Sequence, residues 1–310
     1  MSKLAVAIPT YNRQQYLKDC LRSVLNQTFQ DFSIYIFDNA SDYDIEKFLS
    51  EEFNDKRIIL LKSDHHIGYQ YFSRILEYPF SEEYLIVFHD DDTMHPLLLE
   101  KEIEILEKDK NLVFVGTGMK FIKNHQKIFH FSKIKEKIDF EIFENPADLI
   151  RLILKDFDFC YDSVMYRRKF IGDTRPKDDI FFKWGDRPFL IELAKKGKVG
   201  VIKEKLVNYR IHFSQDTRMP ESFSYLFNLF LYYKNNLPYP LRKRDIELFY
   251  NFSTNNLILS GFSFSKNWQE YKKFLRAAKE SGVFDLRYLN FRGIYYFLKG
   301  FKSYIFKKNE

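Results

Sequence analysis

The residues with the clearest chemical potential are three consecutive carboxylates, Asp90, Asp91 and Asp92, which follow His89. They come directly after the apolar run Tyr84–Phe88, which has the length and composition of a buried strand. Adjacent carboxylates repel one another, and packing alone does not explain them. Divalent cations such as Mg²⁺ and Mn²⁺ bind carboxylate oxygens and share them with phosphates, so the run predicts a metal site. The alternative is a solvated acidic turn that caps a helix beginning near Pro96.

Polar segments also follow three earlier strand-like runs, and segments with helical periodicity lie between these runs. The runs are Leu4–Ile8, Phe32–Phe37 and Arg57–Leu61, and the polar segments after them are 10–13, 38–42 and 65–68. Strands that alternate with helices predict a mostly parallel sheet with helices on both faces. Ligands of such sheets bind beyond the carboxyl ends of the strands, where all four polar segments should meet.

Composition narrows the class of protein. With 310 residues, 45% hydrophobic and 30% charged, the chain can form one large globular domain or two. Two cysteines, Cys20 and Cys160, do not suggest a disulfide framework and favour a reducing cytoplasm. No apolar stretch approaches 18 residues, and the first one is too short for a signal peptide. A net charge of +6 without a recognised motif argues against nucleic-acid binding.

The pattern changes along the chain. A strand–turn–strand pattern covers residues 112–131, a helix is predicted at Pro146–Leu154, and an extended run follows at Val199–Tyr209. Beyond Asp216 the chain becomes helical and rich in aromatic residues. We therefore predict an α/β domain over residues 1–219, with halves 1–108 and 109–219, and a helical region over 220–310.

Five ordered motifs within residues 3–215 are similar to those of a known family. They are Val6–Arg13, Leu21–Thr28, Phe37–Ser41, His89–Pro96 and Trp184–Leu190. Together they resemble the family 2 glycosyltransferases of GT-A fold. This resemblance implies a Rossmann-like nucleotide-diphospho-sugar transferase fold, in which a mixed, mainly parallel sheet is flanked by helices, here with a C-terminal helical extension. Residues 1–108 would be the nucleotide-binding half, and residues 109–219 the acceptor half.

The resemblance also implies a reaction. A sugar would move, with inversion, from a nucleotide-diphosphate donor, by family preference a UDP-sugar, to a glycan or lipid-linked glycan acceptor in surface polysaccharide synthesis. Mn²⁺ or Mg²⁺ would stabilise the leaving diphosphate. A carboxylate would deprotonate the acceptor hydroxyl, and Asp186 occupies the place of this base. The alternative for Asp186 is a cap on the helix entered at Pro188.

The same resemblance assigns donor binding to residues at the strand ends. Asp38, Thr10 and Tyr11 would hold the nucleobase, and Arg74 would reach the diphosphate. The full predicted set is Pro9, Thr10, Tyr11, Arg13, Asp38, Gly68, Arg74 and Asp90. Three alternatives stay open: an Asx turn for Asp38, a buried core ring for Tyr11 and a solvated helix face for Arg74.

Metal binding is assigned to Asp91, Asp92 and His212. If the family motif is aligned on Pro96, Asp90 contacts the ribose and Asp91 is the direct metal ligand. If it is aligned on the D-x-D spacing, Asp92 is the direct metal ligand instead. The alignment on Pro96 is favoured. The chain departs from the family pattern at His89, where aspartate is common, and at Gly185, where an acidic residue often precedes the base. A nucleotidyltransferase and a catalytically silent, membrane-attached scaffold or sugar-binding protein remain alternatives.

The last helical stretch, Phe291–Phe306, mixes aromatic rings with lysines. Such a helix can lie in a membrane interface with its lysines toward anionic headgroups. The alternatives are a helix packed on its own domain and a dimer contact. We therefore expect a cytoplasmic protein that contacts the inner face of the cell membrane through this region.

Overall fold

The computed structural model describes residues 2–123, 128–134, 138–155, 157, 159–212 and 222–306. The predicted domain boundary at residue 220 lies outside these ranges, as does the turn predicted at 124–126. Residues 128–131 form a turn and irregular chain, so the second strand predicted in the 112–131 segment is wrong.

The first part of the chain forms four parallel strands with three helices between them. The elements are β1 (Leu4–Thr10), α1 (Gln14–Leu25), β2 (Phe32–Asp38), α2 (Ile45–Glu52), β3 (Ile58–Lys62), α3 (Tyr71–Glu77) and β4 (Tyr84–Val87). The strands lie in the order β3-β2-β1-β4. Thr10 is in register with Asp38, and Ala7 with Val87, so the polar ends of these strands meet at one edge.

The second part completes a mixed sheet. Its elements are β5 (Thr93–Met94), α4 (Leu98–Lys108), β6 (Leu112–Lys123), β7 (Phe140–Phe143), α5 (Pro146–Leu154), β8 (Met165–Arg167), α6 (Asp178–Phe181), α7 (Asp186–Ala194) and β9 (Lys198–Ile211). Within the described residues the sheet has nine strands, continuing from β4 through β8, β6 and β9 to β5, with β7 also on β9. Strand β8 is antiparallel to both of its neighbours, and β6 runs parallel to β9.

Strand β5 fixes the chain immediately after the acidic run. It pairs antiparallel with β9, with Thr93 opposite Asn208 and Met94 opposite Val207. Because β9 continues past Asn208 to Ile211, its last residues run back alongside Asp91 and Asp92.

Apolar side chains on strands and helices form the core around this sheet. The buried residues of α1 include Leu17, Cys20, Leu21 and Val24, whose spacing places them on one helical face. Strands β1 and β4 are buried almost throughout, as expected for parallel strands covered on both faces. Cys20 and Cys160 are buried free thiols.

Four longer helices follow: α8 (Phe223–Asn235), α9 (Lys243–Ser263), α10 (Trp268–Glu280) and α11 (Phe291–Phe306). Tertiary contacts divide the chain into two units. The first contains Met1–Asn145, Asp158–Pro176 and Phe189–Phe213, and the second Pro146–Phe157, Lys177–Pro188 and Ser214–Glu310. In the second unit, Arg151 of α5 forms a bidentate pair with Asp245 of α9, at 2.7 and 2.9 Å. In the described ranges, no helix is both long and apolar enough to cross a bilayer.

Candidate active site

The ends of β1 and β4 bring two N-terminal residues onto the acidic run. The Thr10 hydroxyl donates a hydrogen bond to Oδ2 of Asp90 at 2.7 Å. The Arg13 guanidinium donates from Nη1 to Oδ1 of Asp90 and to Oδ2 of Asp91, each at 3.2 Å. The chain turns between these residues at Asn12, whose φ of 53° lies in the left-handed region. A hydroxyl and a guanidinium thus stabilise the first two carboxylates.

The end of β9 contacts the run from the other side. The backbone amide of Arg210 donates to Oδ1 of Asp92 at 2.7 Å, and the side-chain Nε of Arg210 donates to the Asp91 carbonyl at 2.7 Å. Nε2 of His212 lies 2.8 Å from Oδ2 of Asp91. Arg210 and His212 are both buried, so these contacts are shielded from solvent. The predicted metal residues Asp91, Asp92 and His212 therefore lie together.

A third group of ligand atoms lies beside them. Nδ1 of His89 is 3.1 Å from Oδ2 of Asp162, which precedes β8. Oδ2 of Asp92 is buried and has no hydrogen-bond partner in the part of the chain that the structure describes. His89, Asp92 and Asp162 each present one ligand atom within 4.8 Å of the others. One imidazole and two carboxylates form a donor set that suits a divalent ion.

Crowding of these carboxylates shifts their pKa values in different directions. Burial, with the charge of Asp91, raises the pKa of Asp90 to about 6. Burial, with Asp91 and Asp162, raises the pKa of Asp92 well above its usual range. Burial would also raise the pKa of Asp91, but the hydrogen bond from His212 and the charges of His89 and Arg13 lower it. Asp91 is thus the carboxylate of the run that stays ionised most readily.

Neighbouring carboxylates raise the pKa of His89. Desolvation lowers the pKa of His89, but the charge and hydrogen bond of Asp162 outweigh this effect and raise the pKa to about 10. A buried group of like charges is stable only when protons or cations compensate them. Arg13 and His89 provide part of this compensation, and Oδ2 of Asp92, which has no hydrogen-bond partner among the described residues, is available to a further cation.

Asp38 lies buried at the end of β2, next to the β1 loop. Its Oδ1 accepts a hydrogen bond from the Ser41 amide at 3.1 Å, so the turn considered as its alternative role is present. Its neighbour Asn39 donates its amide to the Thr10 carbonyl at 2.9 Å. The Asn39 side-chain oxygen accepts from the Ile67 amide at 2.8 Å, immediately before Gly68. Asn39 lies in the motif Phe37–Ser41 but was given no role from the sequence, and it joins three of the predicted donor-binding loops.

Tyr11, Gly68 and Pro9 belong to the same edge of the sheet. Tyr11 is 38% exposed and its ring lies 4.2 Å from that of His66, so it is not a buried core ring. Gly68 has a φ of +71°, a backbone conformation that residues with a side chain rarely adopt. Pro9 lies within β1, opposite Phe37. An exposed aromatic ring beside a backbone turn can stack on a planar base.

Arg74 and Asp186 are the two remaining predicted site residues. Arg74 is an exposed residue of α3 that lines a cavity of about 370 Å³ together with Phe37, Leu61, Lys62, Ser63, Tyr71, Glu77, Tyr78 and Pro79. Asp186 is the first residue of α7 and belongs to the second unit. Its Oδ1 accepts a hydrogen bond from the amide of the next residue, Arg187, at 2.8 Å. The role of Asp186 as a base stays a prediction.

Comparison with protein families decides the class. Residues 5–174 match the family model described as Glycosyl transferase family 2. The chain belongs to this family. The predicted family, its glycosyltransferase activity and its GT-A fold are thereby confirmed, and the departure at His89 lies within the matched segment. For a family 2 glycosyltransferase, the nucleotidyltransferase alternative loses its basis.

Sequence relatives support the same class. The glycosyltransferase is 26% identical to an uncharacterised glycosyltransferase of Methanocaldococcus jannaschii over 212 residues, which cover 67% of this chain and 70% of the relative. It is also 26% identical to one of Haemophilus influenzae over 221 residues, which cover 68% of this chain and 66% of that protein.

Solved structures share the fold. TarS 1–349 of S. aureus, determined in complex with UDP, has a TM-score of 0.63 at 15% identity, covering 90% of this glycosyltransferase and 80% of that chain. The mannosyltransferase PcManGT from Pyrobaculum calidifontis, determined with GDP-Man and Mn²⁺, has a TM-score of 0.56 at 13% identity, covering 99% and 88%.

Proposed function

We propose that this glycosyltransferase moves a sugar, with inversion, from a UDP-sugar to a hydroxyl of a glycan or lipid-linked glycan in surface polysaccharide synthesis. One observation carries the proposal: Thr10, Arg13 and His212 converge on Asp90 and Asp91 at the carboxyl ends of the strands. This is the edge at which α/β sheets bind ligands. TarS, which shares the fold, has been solved with UDP and with UDP-GlcNAc, and a uridine donor is in keeping with that similarity.

A divalent ion, Mn²⁺ or Mg²⁺, fits the residues at this edge. The fit rests on the buried Oδ2 of Asp92, which lacks a hydrogen-bond partner within the described ranges, and on the surplus of carboxylates around it. Asp91, Asp92 and His212 would hold the ion, with Asp162 as a further donor. When bound, it would neutralise charge that develops on the departing diphosphate. The Mn²⁺ in the Pyrobaculum structure is in keeping with this assignment.

The remaining residues would bind and orient the donor. The Asp38 carboxylate keeps a second oxygen for the ring N–H of uracil, and Tyr11 offers its exposed ring to the base. Asp90 would accept from the ribose hydroxyls, and Arg13 would turn from the carboxylates toward the diphosphate. Arg74 would contribute a second positive charge. Pro9, Thr10 and Gly68 shape the loops that hold the base.

Proton transfer from the acceptor is assigned to Asp186. A carboxylate can act as a general base when it lies within hydrogen-bond reach of the acceptor hydroxyl. Its proton would come from the acceptor hydroxyl as that oxygen attacks the anomeric carbon. We place the reaction in the cytoplasm, in the catalytic domain 1–219, with the helical region 220–310 outside the chemistry.

The experiment is a donor screen with the full chain. UDP- and GDP-sugars are incubated with Mn²⁺, Mg²⁺ or EDTA, and the released nucleoside diphosphate is measured. The proposal predicts release from a UDP-sugar with metal, and its loss in Asp91→Asn. Asp173→Asn, which changes an exposed carboxylate, is the matched control and should retain the rate. Nucleotide binding without release in any condition would instead support the catalytically silent alternative.

A further inference from the structure

Helix α11 exposes a continuous apolar face. Five of its apolar side chains are between 39 and 91% exposed: Phe291, Ile294, Tyr295, Leu298 and Phe301. Their spacing of three and four residues places them on one side of the helix. Scattered apolar residues are common on protein surfaces, but a row of this length on one helix is typical of a binding surface.

The opposite side of α11 is held firmly against α9. A side chain at Gly293 would collide with Asn255, and one at Gly300 would collide with the ring of Phe262. The two glycines lie two turns apart, so they let the helices approach closely. The Phe297 ring adds a contact to Phe262 at 5.6 Å between centroids. The exposed apolar face is therefore fixed in orientation by the packing behind it.

Positive charges line this face. Lys299 and Lys302 are exposed on α11, and Arg292 is partly exposed. On a helical projection Lys302 lies within the apolar arc, where its long stem can reach outward, and Lys299 and Arg292 lie along one border. From residue 286 to 310 the sequence has six lysines and arginines and one acidic residue, Glu310.

We propose that this face of α11 attaches the protein to the surface of an anionic lipid bilayer. The apolar side chains would enter the boundary between headgroups and acyl chains, and the basic side chains would meet lipid phosphates. A helix of 16 residues is roughly 24 Å long, which is shorter than the bilayer core of about 30 Å, and its one-sided apolar face suits a position along the interface. Two copies of this face would bring like charges together, which disfavours self-association and favours an anionic partner.

Membrane attachment would place the enzyme near a lipid-linked acceptor, but it does not depend on the donor chemistry. The surface is tested with the full chain and vesicles of phosphatidylcholine, with and without phosphatidylglycerol, by co-flotation. We expect binding to the anionic vesicles and weak binding to the neutral ones. No binding to the anionic vesicles would overturn the proposal.

Variants in the exposed face of α11, each with a matched control elsewhere, test whether this face binds the vesicles. Leu298→Glu should weaken vesicle binding by about tenfold or more, because a charge replaces an inserted side chain. Tyr239→Glu, at a 95% exposed tyrosine of the same unit, is its control and should bind as wild type. Lys299→Glu with Lys302→Glu should weaken binding by about thirty-fold or more. The control with equal charge change is Lys272→Glu with Lys273→Glu, on the exposed side of α10.

Two further readouts separate the outcomes. Circular dichroism and the release of nucleoside diphosphate should be the same in all variants, so a loss of vesicle binding is not a loss of folding or of catalysis. If wild type and both α11 variants bind vesicles equally, the proposal is wrong. If light scattering shows a dimer that Leu298→Glu dissociates, while vesicles do not bind, the face is a contact between copies.

Discussion

The Asp91 carboxylate lies 2.8 Å from Nε2 of His212, a residue 121 positions further along the chain. The contact exists because β5, directly after the acidic run, pairs with β9, which ends at Ile211. A buried imidazole beside a buried carboxylate can either share a proton with it or share a metal ion with it. The proposed function requires the second state during turnover.

His212→Asn should weaken Mn²⁺ binding in the presence of UDP by about 10- to 100-fold, because it removes an imidazole donor while keeping a polar side chain. Isothermal titration of Mn²⁺ into the protein with UDP measures this affinity. His130→Asn, which changes an exposed histidine, is the control. Equal Mn²⁺ affinity in wild type and His212→Asn would exclude His212 as a ligand.

Asp92→Asn should change stability and metal binding in opposite directions. The substitution removes a carboxylate whose pKa is raised by burial and by neighbouring charges, and it keeps an oxygen for the Arg210 amide. Without metal, the melting temperature at neutral pH should therefore rise. With saturating Mn²⁺, the additional stabilisation should shrink, because a ligand is lost. Thermal unfolding with EDTA and with Mn²⁺ measures both effects, and a fall in the EDTA sample would contradict the electrostatic account.

Glu102 of α4 predicts a pH-dependent stability. It is fully buried, and neither carboxylate oxygen has a hydrogen-bond partner in the described ranges. Burial raises its pKa well above the usual value. The folded state therefore keeps this proton to a higher pH than the unfolded state. Its contribution to stability is complete below the unfolded pKa, about 4.3, and is lost as the pH rises toward the folded value.

Glu102→Gln removes this ionisation and keeps the shape of the side chain. The free energy of unfolding of the variant should equal that of wild type at about pH 4. Toward about pH 8 the variant should become increasingly more stable than wild type, because the pH then rises from the unfolded pKa of Glu102 toward its folded pKa. Urea unfolding across this range measures the difference in free energy. Glu104→Gln, at an exposed position of the same helix, should show little pH-dependent gain. A constant difference between Glu102→Gln and wild type would show that Glu102 does not titrate as described.

Asp186→Asn should abolish most proton transfer without affecting donor binding. Loss of a general base lowers such rates by about 10²- to 10⁴-fold. Hydrolysis of the UDP-sugar, with water as acceptor, measures the rate without a known acceptor, and titration with UDP measures binding. Asp179→Asn, an exposed carboxylate in the same unit, is the control. An undiminished hydrolysis rate would remove Asp186 from the mechanism.

Elements with strong local periodicity could be predicted from the sequence. The helices Pro146–Leu154 and Phe291–Phe306 have the predicted bounds, and the first four strands occur where apolar runs indicate them. The second strand predicted over 112–131 was wrong: the first strand, β6, pairs instead with β9, whose partner residues lie 85 to 88 positions later. Local pattern does not encode such long-range pairing.

The same limit applies to the candidate site. Residues at the ends of the parallel strands, such as Thr10 and Asp90, could be grouped from strand order alone, and the structure joins them. Asp162 could not, because its position follows from the antiparallel placement of β8 beside β4. His89 was a departure from the family pattern in the sequence, and the structure gives it a carboxylate partner in Asp162.

The central claim, that the acidic run holds a divalent ion together with the donor diphosphate, is tested most directly by calorimetric titration of UDP into the wild-type protein. We expect tight binding with Mn²⁺, weaker binding with Mg²⁺ and a large loss of affinity with EDTA. Equal UDP affinity with Mn²⁺ and with EDTA would contradict it.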